Sequence, residues 1–121
     1  MQTNSDFKTG FKIRLYNWTL KLIGVIDALD KGMVSNVMGK QLIRSGTSIL
    51  ANFIEAQSAI SNKDFVNFLT YSLKSANESK VWLTLLRDTK KGDRNRLEYL
   101  LGELTEITKI LASIIIKLKK K

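Results

Sequence analysis

Phe7, Phe11, Leu15, Trp18, Leu22, Val25 and Leu29 recur at steps of three and four, which lays one apolar stripe along about six turns of helix. Ile13, Tyr16, Leu20 and Ile23 form a second stripe beside it. One neighbouring helix cannot cover both, so this segment carries a candidate intersubunit face as well as a core face. Asp30-Lys31-Gly32 ends it, with Gly32 suited to a left-handed C-terminal cap. The next segment, about Val34 to Ile60, places Leu42, Ile49, Phe53 and Ala56 on one face and Ile43, Leu50 and Ile54 on another. Between them runs a polar line of Arg44, Ser48, Asn52 and Glu55.

Ser61-Asn62-Lys63-Asp64 reads as a helix start, because the Ser61 hydroxyl can cap and Asp64 favours the positive end of the helix dipole. The third segment is expected to bury Phe65, Phe68 or Leu69, Leu73, Ala76, Trp82 and Leu86 before the turn Thr89-Lys90-Lys91-Gly92-Asp93. In the fourth, Leu97, Leu100, Leu104, Ile107, Leu111, Ile114 and Leu118 alternate steps of three and four, the rhythm of shallow-angle, interdigitated helix packing. Short turns make successive helices antiparallel neighbours. The pattern therefore predicts an all-α, antiparallel up-down-up-down four-helix bundle, one domain over 1–121, with helices at about 6–30, 34–60, 62–88 and 94–119.

Composition agrees and narrows the chemistry. There is no proline and there are only seven glycines, so nothing breaks the helical segments. Cysteine and histidine are absent, which removes disulfides, thiol nucleophiles, the usual zinc ligands and the usual neutral-pH base. Ferritin-like carboxylate sites need Glu-x-x-His pairs, and Glu98, Glu103 and Glu106 fall off the fourth helix's apolar stripe. No catalytic residue, metal or cofactor is expected. The N-terminus lacks a basic leader and apolar core, and Ile110–Ile116 is far short of the roughly 20 residues of a membrane span. A cytoplasmic protein without a membrane partner is expected. Its net charge of +9, from 20 Lys and Arg against 11 Asp and Glu, favours phosphate backbones or other anionic surfaces.

Arg44-Ser45, Ser48-Ile49, Ala51-Asn52, Glu55-Ala56-Gln57, Lys63-Asp64-Phe65, Ala76, Glu78 and Trp82-Leu83 stand in an order and spacing that covers more than a third of the chain. In these residues the chain resembles the bacterial four-helix-bundle family encoded in intervening sequences of 23S ribosomal RNA genes. The resemblance implies a bundle that assembles as a homopentamer, often basic, and that associates with nucleic acid. A related branch, the accessory variability protein of diversity-generating retroelements, works with a reverse transcriptase and RNA. Many members carry Gly after the Glu of the Asn-x-x-Glu element, where this chain has Ala56-Gln57, as in a different subgroup.

The charged residues divide into three groups. Arg44, Ser48, Asn52 and Glu55, with Glu78 on the helix expected beside them, form a structural polar network in which Arg44 bridges Glu55 or Glu78. Arg87, Lys90, Lys91, Arg94 and Arg96 surround the third turn, with Lys31 nearby, and are the first candidates for contact with RNA or DNA phosphates. Lys117, Lys119, Lys120 and Lys121 close the chain at the opposite end and are also candidates, although cations at a helix C-terminus already have a dipole explanation. Phe7, Phe11, Trp18, Phe65, Phe68 and Trp82 fall on apolar stripes and belong to the core, whereas Tyr16, Tyr71 and Tyr99 lie nearer the surface. The leading functional expectation is a non-enzymatic oligomeric bundle that binds structured RNA or another nucleic acid. The other is a scaffold that recruits an acidic protein.

Overall fold

The computed structural model describes residues 4–120. Four helices, α1 (Asn4–Asp27), α2 (Met33–Gln57), α3 (Asn62–Asp88) and α4 (Arg94–Lys119), follow one another with short connections. Each packs on its sequence neighbours and α1 closes the ring against α4, giving the up-down bundle. The α2–α3 interface is the most extensive and the α1–α4 interface the slightest.

Phe11, Leu15, Trp18, Leu22 and Val25 bring the first α1 stripe into the core as expected, except at its ends, where Phe7 is exposed and Leu29 half-buried. On α2, Leu42, Ile49, Phe53 and Ala56 are buried, joined by Met38. Two helices depart from the apolar pattern. On α3 the innermost line is Leu69, Ser72, Ala76, Ser79, Leu83 and Leu86, so Leu69 rather than Phe68 is fully buried, and Phe65, Leu73 and Trp82 flank the core instead of filling it. The small residues let α2 and α3 approach, and their hydroxyls are satisfied: Ser45 and Ser79 bond across the interface at 2.8 Å and Ser72 donates to the Ile49 carbonyl at 2.8 Å. On α4, Leu97 through Leu111 are buried as expected, but the next core residue is Ile115 while Ile114 and Leu118 are half-buried.

The termini explain the boundaries. α1 stops at Asp27, before the expected Asp30, and Gly32 is not its left-handed cap: it sits at φ −72°, ψ 162° as the N-cap of α2, its N–H donating to Asp30 Oδ1 at 3.0 Å. α2 ends at Gln57 rather than Ile60, and the Ser58 and Ala59 N–H groups turn back to the Glu55 and Ala56 carbonyls at 3.1 Å. Ser61 caps α3 as expected, accepting from the Asp64 N–H at 3.1 Å. Asp93 does the same for α4 through the Arg96 N–H at 3.0 Å. At the close of α3, Lys90 occupies the left-handed region at φ 59° and the Lys91 N–H reaches the Leu86 carbonyl at 2.8 Å, a Schellman ending built on a lysine.

Candidate nucleic-acid interface

At the α3–α4 turn the expected basic residues come together, but their charge is largely answered. Arg87 bonds Asp88 at 3.0 Å, Lys91 lies 4.0 Å from Asp30, and Arg94 pairs with Glu98 at 3.1 Å. The Asp88 contact raises the Arg87 pKa further above its ordinary value, mainly through the hydrogen bond itself. Lys90 and Arg96 have no carboxylate partner among the described residues. With Asp27 and Asp93 also at this end, acids nearly match the cations.

The other end is different. Lys117, Lys119 and Lys120 on the last turn of α4 are exposed and make no ion pair among the described residues; Lys121 lies outside those residues. A cavity of about 480 Å³ at this end is lined by Lys8 of α1, by Leu118 of α4, and by residues of the α2–α3 connection from Ala56 to Phe65. Lys8 sits 5.7 Å from the Phe65 ring centroid, and Lys63 stands on the first turn of α3. The acids here are Asp6, Glu55 and Asp64, outnumbered by the lysines. Helix dipole and charge count therefore act together: the C-terminus of α4 draws lysines, and too few carboxylates surround them to cancel their field.

The polar line of four residues and Glu78 beside it do not form the one network expected of them. Arg44 ion-pairs with Glu78 across α2 and α3, and Glu78 also accepts from Trp82 Nε1 at 3.0 Å. Ser48 and Asn52 instead turn onto their own helix, bonding the Arg44 and Ser48 carbonyls at 2.7 and 2.9 Å. Glu55 is exposed and has no side-chain partner among the described residues. Of the set, only the Arg44–Glu78 pair is an interhelical clasp. A tighter clasp joins α1 to α4: Arg14 Nε and Nη2 bond Glu103 Oε2 and Oε1 at 2.9 and 2.8 Å. The hydrogen bond to Arg14 holds the Glu103 carboxyl below the usual carboxylate range, against a smaller opposing effect of burial. Nothing in the sequence pattern singles out this pair. An α1–α4 contact is too remote in sequence to read from spacing.

The second α1 stripe remains uncovered: Ile13, Tyr16 and Leu20 are each more than half exposed. Leu22 packs on Gly46 while Ile26 and Leu29 lie beside Gly39, so α1 and α2 run antiparallel in a defined register. On α2, Ile43 and Ile54 of the outer stripe are exposed as well, while Leu50 packs partly against the core. Both helices therefore carry exposed apolar side chains on the outside of the bundle.

Among the described residues no group of three or more metal-ligating side chains is gathered, and no helix is long and apolar enough to cross a membrane. The family model for the 23S rRNA-intervening sequence protein matches residues 16–113. A crystal structure at 1.70 Å resolution, of a protein with unknown function from the S23 ribosomal protein family of Bacteroides thetaiotaomicron VPI-5482, is similar with a TM-score of 0.80 and 40% identity, covering 86% of this chain and 96% of that one. No match is found among curated proteins. The family model spans α2 and α3 entirely, most of α4 and half of α1, and a 40% identical relative shares the bundle nearly end to end, so the chain belongs to the 23S rRNA-intervening sequence protein family.

Proposed function

We propose that this chain is a non-enzymatic, oligomeric, cytoplasmic bundle protein that associates with structured RNA through phosphate contacts, made chiefly by the lysine-rich end of α4 and secondarily by Lys90 and Arg96. The observation that carries the reading is the set of exposed lysines Lys117, Lys119 and Lys120, without an ion pair among the described residues, with Lys8 and Lys63 at the same end. Lysine is a flexible point charge, suited to phosphates at varied positions and not to a single base edge. The recognition is therefore electrostatic and directed by RNA shape.

Self-association supplies the second half of the mechanism. Ile13, Tyr16 and Leu20 of α1 and Ile43 and Ile54 of α2 are exposed apolar side chains, and a second copy of the chain is the partner proposed to cover them. Repeating one lysine cluster around an assembly multiplies weak phosphate contacts into useful avidity.

The test reverses charge at each end separately. K117E/K119E/K120E is expected to weaken binding to a structured RNA and to lower the salt slope by about one for each phosphate that is no longer neutralised, while K90E/R96E has the smaller effect. If the triple variant folds and assembles normally yet keeps both affinity and salt slope, the RNA reading is wrong. One stoichiometric acidic protein retained through nuclease treatment then becomes the better description.

A further inference from the structure

The slightest interface of the bundle, between α1 and α4, opens into a groove of about 330 Å³ lined by Lys21, Val25, Asn95, Arg96, Tyr99 and Leu100. That volume lies near the lower end of the roughly 300–1,000 Å³ of small-ligand sites. Its floor is apolar, from Val25 and Leu100, both in the core. Its rim is cationic and aromatic. The side chain of Arg96 has no hydrogen bond or ion pair among the described residues, and Nη2 lies 2.9 Å from where a Cβ on Gly24 would stand. Glycine is disfavoured inside a helix, but here it leaves room for the guanidinium to lie against the α1 backbone at the mouth of the groove.

Lys21 lacks a carboxylate within ion-pair distance among the described residues. Glu103 is close enough to feel its charge, but it is already engaged by both nitrogens of Arg14. The Lys21 ammonium instead rests 4.2 Å from the Tyr99 ring centroid and donates to the Tyr99 hydroxyl at 3.1 Å. Two cations without paired anions, an exposed aromatic ring, the side-chain amide of Asn95 and an apolar floor form one concave surface. The combination matches a phosphate joined to a planar ring. A bare carboxylate or phosphate would leave the ring and floor unused.

We infer that this groove holds one unpaired nucleotide of an RNA strand, its phosphate between Lys21 and Arg96 and its base against Tyr99 and the floor of Val25 and Leu100. Phosphate would draw the Lys21 ammonium off the Tyr99 ring and free that face for stacking. Asn95 can both donate to and accept from a base edge. The inference rests on the RNA reading above and gives its secondary contact at Arg96 a defined pocket, near the α3–α4 turn and away from the α4 lysines.

Backbone amide NMR of the full chain, titrated with a single-stranded RNA pentanucleotide, adenosine monophosphate and inorganic phosphate, tests it. The pentanucleotide is expected to shift the signals of Lys21, Arg96 and Tyr99 at concentrations at which inorganic phosphate does not, with adenosine monophosphate weaker than the strand. Y99L should weaken the pentanucleotide about tenfold, and R96Q by a comparable factor, whereas Y99F retains stacking. Equal shifts from inorganic phosphate reduce the groove to a simple anion site and overturn the inference. Tighter binding of adenosine monophosphate than of the strand overturns the strand as the source. If structured RNA binds through the terminal lysines and leaves the groove signals unmoved, this inference falls while the broader reading stands; loss of all RNA binding takes down both.

Discussion

Gly46 offers the sharpest test of how α1 is seated. A methyl group added there lands inside the Leu22 side chain, with the Trp18 ring only 3.6 Å away. Leu22 is 0% exposed and Trp18 2%, so neither has free space into which to retreat. Overpacking of this kind costs about 1–3 kcal/mol. Alanine's helix preference returns roughly 1 kcal/mol of that. G46A is therefore expected to destabilise by up to about 2 kcal/mol net, and to fall about 1–3 kcal/mol below what helix propensity alone would give. Gly102 on α4 is the matched control, because a Cβ there meets no heavy atom within 4 Å. The same substitution should stabilise by up to about 1 kcal/mol, since only the propensity gain operates. Urea unfolding of both variants at one protein concentration reads the difference as opposite shifts in midpoint at unchanged slope. A G46A protein stabilised as much as G102A would refute the close α1–α2 contact and the register that follows from it.

Other consequences can be checked separately. L20K or I54K puts a charge among the exposed apolar side chains of α1 or α2 without touching the core, and light scattering should show the assembly falling to a smaller species of unchanged helicity. Because folding lowers the Glu103 pKa, the stabilising effect of its bond to Arg14 is complete above the ordinary carboxylate value of 4.5 and is lost as pH falls below it. The stability gap between wild type and E103Q, on the order of 1 kcal/mol or less for a part-exposed pair, should therefore be seen at neutral pH and shrink in acid. S61A removes the hydroxyl that accepts the Asp64 N–H and should cost about 1 kcal/mol in thermal or urea unfolding.

Most of the fold is legible in apolar spacing because a bundle helix must bury a stripe at that period. The exceptions have physical causes. A strict alternation of three and four averages 3.5 residues per turn, while a straight helix has 3.6, so the buried line drifts across a heptad repeat. By the last turns of α4 it has moved from Ile114 to Ile115. On α3, Ser72 and Ser79 are buried because each has a hydrogen-bond partner across or along the interface, a compensation that hydropathy cannot register. Trp82 stays at the margin, where its indole N–H meets Glu78. Gly32 has the sequence context of an α1 terminus but begins α2, since the Asp30 carboxylate already turns the chain.

Charge is harder to read than shape. The basic residues of the α3–α4 turn stand close in sequence, yet Asp30, which answers Lys91, comes from a different connection. Conversely, Lys117, Lys119 and Lys120 have a ready dipole explanation, and only the folded arrangement brings Lys8 and Lys63 to the same end. In the sequence Glu103 stands out only by lying off the apolar stripe. That offset is what points it at Arg14 on α1.

The most direct measurement is the affinity of the intact, nuclease-treated protein for a structured RNA across a salt series, with molar mass determined by light scattering in the same samples. An oligomer whose log affinity falls linearly and steeply with log salt is the predicted result, since each phosphate neutralised by a lysine releases counterions. An intact oligomer that shows no RNA affinity even at low salt would contradict the account.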